Sequence, residues 1–158
     1  MRAVAALSLA VFSLLLLPAL ASAGPRHDRF ERKVVRVINA ERAQHGLAPV
    51  KGNRKLGRAA DYHSWEMLAG NYFAHASRNG GSFDSRVRRY ARYRAVGETI
   101  AWMSRCRART VVSMWMNSSG HRAILLSGRF RRLGVGRRKG SLGSTRACVV
   151  TADFASRK

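Results

Sequence analysis

The chain has 158 residues, 30 of them Lys or Arg and 8 Asp or Glu, for a formal net charge of +22. That length is enough for one domain with a real core and too short for several, and the sequence shows no internal repeat, low-complexity run or linker. So basic a surface attracts polyanions through long-range, salt-sensitive forces, although Arg outnumbers Lys 25 to 5, a bias that GC-rich coding alone also produces on a merely soluble surface.

The N-terminus has the three parts of a secretory signal. Arg2 gives a positive start, residues 4–17 are almost wholly apolar, and Ala21-Ser22-Ala23 offers small residues to a signal peptidase. The expectation is a signal peptide over residues 1–23, cut before Gly24, and one domain over 24–158 that is secreted. A retained anchor is the alternative, but the apolar run is shorter than the roughly 20 residues that a span needs. No cysteine stands at the cut to carry a lipid, and no later stretch reads as a span. Export makes anionic wall polymers, phospholipid head groups or acidic polysaccharides the expected polyanions, and disfavours nucleic acid.

Phe30, Val34, Val37, Ile38 and Glu41 share a face at helical spacing, and Gly46 stops that helix. Residues 47–50, with Pro49, read as an extended connector. A second helix is expected over about 53–69, with Leu56, Ala59, Ala60, His63 and Met67 inward. Tyr72-Phe73-Ala74-His75 leads into a Gly-rich loop, and Ser82 caps a third helix bearing Phe83, Val87 and Tyr90. Residues 96–102 read as a strand, and 109–116 as a helix that packs through Val111, Val112, Trp115 and Met116. Asn117-Ser118-Ser119-Gly120 makes a turn, with Ser119 capping a short helix to Leu126. Residues 133–137 and 147–154 are β-like, joined by a Gly-rich loop over 138–145. Helices early and strands late predict an α+β fold, with helices packed on an antiparallel sheet.

Two cysteines, Cys106 and Cys148, predict one disulfide in an oxidising compartment; two buried thiols are the alternative. Of the five histidines, His27 and His45 sit in polar surroundings, and His63 reads as a hydrogen-bonded core residue. His75 and His121 each lie in a turn beside small residues, where functional side chains concentrate. Glu98 stands within an otherwise apolar stretch, so its carboxylate needs partners. Ser118 or Ser119 beside His121 is a weak nucleophile candidate, since no Gly-x-Ser-x-Gly elbow is present.

Six pieces in order along the chain resemble the CAP superfamily (cysteine-rich secretory, antigen 5 and pathogenesis-related 1 proteins) in its bacterial SCP-like extracellular branch. They are Ile38-Asn39-Ala40-Glu41-Arg42 with Gly46-Leu47, Ala60-Asp61-Tyr62-His63-Ser64 with Met67, and Tyr72-Phe73-Ala74-His75. Val96-Gly97-Glu98-Thr99-Ile100-Ala101, Trp115-Met116-Asn117-Ser118-Ser119-Gly120-His121-Arg122 and Leu133-Gly134-Val135-Gly136 complete the set. The terminal strand over residues 149–154 also fits. The resemblance implies a three-layer α-β-α sandwich around a central antiparallel sheet, and a cleft lined by a His, Glu, Glu, His tetrad. His75, Glu98 and His121 carry over; no acid follows Trp115 to supply the fourth member, and Gly-Glu-Thr replaces the usual Gly-Glu-Asn.

Two imidazoles and a carboxylate suit a divalent metal such as zinc with an open position, although Glu98 can instead orient one histidine from behind. Three uses stay open. The cleft can belong to an envelope-associated binding module that takes a lipid or peptide, to a metal-dependent hydrolase, or to a structural protein in which it is vestigial.

Overall fold

The computed structural model describes residues 29–157, so the expected signal peptide and its cleavage point, with His27, lie outside the described residues. The described elements are α1 (Arg29–Gln44), β1 (Lys51–Gly52), α2 (Arg54–Ala69), α3 (Phe83–Arg88), β2 (Val96–Met103), α4 (Ala108–Met116), α5 (Ser119–Leu125), β3 (Arg132–Leu142) and β4 (Thr145–Ala155). The sheet order is β1-β3-β4-β2. β4 runs antiparallel to both β3 and β2. β1 lies parallel to β3 through two residues only, which makes the sheet mixed rather than wholly antiparallel. So short a strand leaves no alternation in the sequence to find it by.

Helices α1, α4 and α5 lie on one face of the sheet, and α2 and α3 on the other, giving a three-layer α-β-α sandwich. β4 is buried on both faces. Its even residues Cys148, Val150, Ala152 and Phe154 join Val34, Ile38, Val111, Val112 and Trp115 in the larger apolar core. Its odd residues face α2 and α3, where the period-2 pleat puts Thr151 and Asp153 among the smaller apolar clusters. One layer is therefore dry, and the other carries buried polar groups.

α2 begins at Asn53, whose side-chain oxygen accepts from the Lys55 and Leu56 amides, a cap worth about 1 kcal/mol. Its expected inner face, Leu56, Ala59, Ala60, His63 and Met67, is buried throughout. The helix lies directly on the β3 backbone. A Cβ on Gly134 would overlap the main chain at Leu56 and Gly57, and one on Gly136 would overlap it at Ala60 and Asp61. Leu133-Gly134-Val135-Gly136 is thus a seat for α2. Ser64 Oγ locks the contact by donating to Thr151 Oγ1 at 3.0 Å.

Three local expectations need correction. The loop expected over 138–145 is mostly strand: pairing continues to Leu142↔Thr145, and Gly143 (φ 57°) with Ser144 makes the turn. Glycines and exposed charges hide this extension, because a solvated hairpin arm needs no apolar face. Ser119 is not the cap of α5; the N-cap is Ser118, without a side-chain cap bond, and His121 sits in the helix's first turn rather than in a loop. On α1 the buried polar residue is Arg42, while Glu41 is only half-buried. Arg42 is covered because its guanidinium serves as a cap for distant chain: it donates to Ala48 O (3.0 Å), Leu125 O (2.6 Å) and Ser127 O (3.0 Å). Burial, then Arg131, pulls its pKa down from the ordinary value. Asn39 similarly clamps Val50 with two bonds, 3.0 and 2.9 Å.

Candidate functional site

β2 is an edge strand, and Gly97-Glu98 brings a carboxylate to that edge on the α2/α3 face. Glu98 is 1% exposed. Its Oε1 accepts from His75 Nδ1 at 2.8 Å, and its Oε2 accepts from Arg86 Nη2. Arg86 projects from α3, fully buried, and also donates to Ser77 Oγ (2.8 Å) and to the His75 carbonyl. Both carboxylate oxygens are therefore committed, one to an imidazole and one to a guanidinium.

The loop bearing His75 is held from two sides. Arg86 holds its carbonyl, and His63 Nε2 donates to the neighbouring Ala74 O at 2.9 Å. His63 is fully buried on α2, with Nδ1 3.1 Å from Glu66 Oε2. Burial pulls its pKa down, only partly offset by Glu98. His63 is thus a hydrogen-bonded core histidine with a purpose, since it anchors the loop next to His75.

His75 Nδ1 faces a carboxylate oxygen and donates to it, which leaves Nε2 facing His121. The His75 side chain is 46% exposed. His121 arrives from α5, in the opposite layer, with its Nε2 3.4 Å from His75 Nε2. The rings are tilted at 56° with centroids 5.6 Å apart. Burial, then the nearby His75, pulls the His121 pKa down, which favours neutral imidazole with a free lone pair. The three candidate residues thus come together, but in a chain: Glu98 touches His75, and His75 touches His121. Glu98 orients an imidazole rather than sharing an open centre with two, and no group of three or more His, Cys, Asp or Glu suited to a metal occurs among the described residues. Neither Ser118 nor Ser119 bonds to His121 there.

Two members of the site escape a reading of the sequence. Arg86 is one arginine among 25, on a short helix with charges on both sides. Asp153 on β4 stands directly opposite Glu98 and is fully buried. Neither of its oxygens meets an N–H or hydroxyl donor. Burial, then the Glu98 charge, raises its pKa well above the ordinary carboxylate range, which favours the protonated acid. A lone acid in the apolar run over residues 147–154 is the same signal that singles out Glu98.

Cys106 and Cys148 are joined, with Cα atoms 5.5 Å apart, tying the β2–α4 connection to β4. Among the described residues no helix is long and apolar enough to cross a membrane.

The profile of the cysteine-rich secretory protein family, CAP, matches residues 35–154. YkwD of Bacillus subtilis is 40% identical over 108 residues, covering 68% of this chain and 42% of that protein. The membrane protein YlbC of the same organism is 34% identical over 107 residues, covering 67% and 31%. The chain thus spans less than half the length of either. Among solved structures, an extracellular SCP-domain protein of Bacillus anthracis superposes with a TM-score of 0.70 at 27% identity, covering 81% of this chain and 40% of that one. An outer surface protein of Borrelia burgdorferi reaches 0.74 at 18% identity, covering 85% and 97%, a likeness of fold alone.

Proposed function

The chain belongs to the cysteine-rich secretory protein (CAP) family, and from that premise we propose that it is a secreted binding module that works against the anionic cell envelope, with His75 and His121 as the contact point of its cleft. The observation that carries this reading is the commitment of both Glu98 oxygens. A general base must reach the proton it removes. Glu98 is buried and doubly bonded, so it does not stand as a free carboxylate beside the imidazoles. What the cleft offers a ligand is a pair of oriented nitrogens on a strongly basic surface. The extracellular character of the Bacillus anthracis relative supports the envelope side of the reading. A lipid or a peptide is the ligand class proposed for the His75–His121 contact point. The test is retention of the purified chain on wall fragments and anionic vesicles. It binds at low salt and is released steeply as salt rises past about 0.15 M, where the screening length is about 8 Å. Retention indifferent to salt contradicts a charge-driven contact.

A second reading concerns a divalent metal, and the donor set fits one. His75 Nε2 and His121 Nε2 stand 3.4 Å apart, close enough for both to reach one ion. His75 and His121 would hold the ion, with Glu98 behind His75 fixing its tautomer. A zinc-class ion there supplies a Lewis acid with open positions. Two protein ligands make a weak site, so zinc content of the wild-type chain, beside a His75→Ala/His121→Ala variant, decides it. Equal content in the two removes the metal reading.

A further inference from the structure

The Cys106–Cys148 disulfide stands at one wall of a cleft of about 670 Å³, separate from the histidines. The cleft opens at the Met103 end of β2, five residues and about 16 Å along the strand from Glu98. Arg105 and Arg107 line it from the β2–α4 connection, Arg137 and Lys139 from β3, and Arg146 from β4. No acidic side chain is among the lining residues.

Its geometry follows from the strand register. Lys139 pairs with Cys148, and Ser141 with Arg146. Residues two apart share a face, so Arg137, Lys139, Arg146 and Cys148 all project to the α4 side of the hairpin. The disulfide then pulls the Arg105–Arg107 connection onto that face. Five cations from three separate segments are brought around one concavity. Arg137 also lies over the Phe30 ring, with its guanidinium carbon 4.9 Å from the centroid. The N-cap of α4 is Arg107, which makes no side-chain cap bond.

The chain is basic everywhere, and its other surface clefts carry arginines too. Charge alone does not select this one; five cations gathered under a covalent tie do, where each of the others carries four and no disulfide. Arginine forks match phosphate oxygens in pairs, and a concavity of several hundred Å³ takes a ligand of a few phosphorylated units rather than a flat surface. We propose that this cleft is a binding site for phosphate esters, and that it supplies the specific part of the envelope contact put forward above, on which the envelope half of the inference rests.

The probes are inorganic pyrophosphate in solution and vesicles of one part phosphatidylglycerol to four parts phosphatidylcholine. Three versions of the full chain are compared: wild type, Lys139→Glu/Arg146→Glu in the cleft, and Arg129→Glu/Arg157→Glu in another basic region with the same change in net charge. All three are checked for equal melting temperature and absence of free thiols. Calorimetry is expected to show pyrophosphate binding that falls about tenfold or more in the cleft variant and changes less than about twofold in the control. Equal losses in both variants overturn the site, because a diffuse field then accounts for binding. So does polyglutamate binding as tightly as pyrophosphate, which would remove the phosphate selectivity. No binding by wild type overturns it outright. If vesicle sedimentation is also lost only in the cleft variant, the site stands with lipid head groups as the phosphate source; if vesicles never bind while pyrophosphate does, it stands with a soluble or wall-borne source. Wild type that binds pyrophosphate in the cleft yet is retained by neither vesicles nor wall fragments keeps the site and removes the envelope reading.

Discussion

Glu98 and Asp153 stand opposite each other on β2 and β4, both buried. Arg86 from α3 and His75 satisfy Glu98. Asp153 has the Glu98 carboxylate as its neighbour, and burial beside that charge raises its pKa. The groups facing the pair are Arg86 on α3, His63 on α2 and His75 on the loop before α3.

This arrangement has a pH signature. The folded-state pKa of Asp153 is raised, so its contribution to stability is fully present below the unfolded value of about 3.9 and is lost as pH rises towards the folded value. In Asp153→Asn the neutral amide cannot ionise. The variant is expected to be close to wild type near pH 4 and to gain on it as pH rises to 7, by up to about tenfold in the folding equilibrium per pH unit. Urea unfolding across that range measures the difference, and parallel curves for the two proteins would show that Asp153 is not held neutral.

Gly136 seats α2 on β3, with no room for a side chain. Gly136→Ala is expected to lose about 3 kcal/mol or more, since neither backbone can move without separating helix and sheet. Gly128→Ala, where an added Cβ meets nothing, is expected to stay within about 0.5 kcal/mol. Similar midpoints for the two variants in urea would contradict the close approach.

Arg42 ties α1 to the segment after α5 through main-chain carbonyls. Arg42→Met leaves those carbonyls unpaired and is expected to cost about 3 kcal/mol. Arg42→Lys is expected to fare little better, because a single ammonium cannot span Ala48, Leu125 and Ser127. A lysine variant as stable as wild type would show that charge rather than the fork matters.

The disulfide spans 42 residues. A free-thiol assay on the unfolded, unreduced chain is expected to find none, and reduction to cost about 4 kcal/mol in the chain-entropy account. Two titratable thiols would contradict the pairing.

Much of this architecture is legible in the amino-acid sequence. The spacing of Leu56, Ala59, Ala60, His63 and Met67 marks the buried face of α2, because a long amphipathic helix repeats its signal. Glu98 stands out because a carboxylate among apolar residues must be partnered. Arg42 and Arg86 do not, since a buried arginine is invisible among 25 until its carbonyl and carboxylate partners are in place. The meeting of His75 with His121 joins residues 46 apart across two layers; only the family resemblance, not local pattern, brings them together. β1 and the outer arm of the β3–β4 hairpin lack an apolar face to announce them.

Glu98, itself held by Arg86, fixes the His75 proton on Nδ1 and leaves Nε2, beside His121, as the atom offered to a ligand. A long-range 15N–1H correlation spectrum of the histidine rings at neutral pH tests it directly. The account predicts the Nδ1–H tautomer for His75 in the wild-type chain, and its loss to a mixture in Glu98→Gln. A wild-type His75 that carries its proton on Nε2 would contradict it.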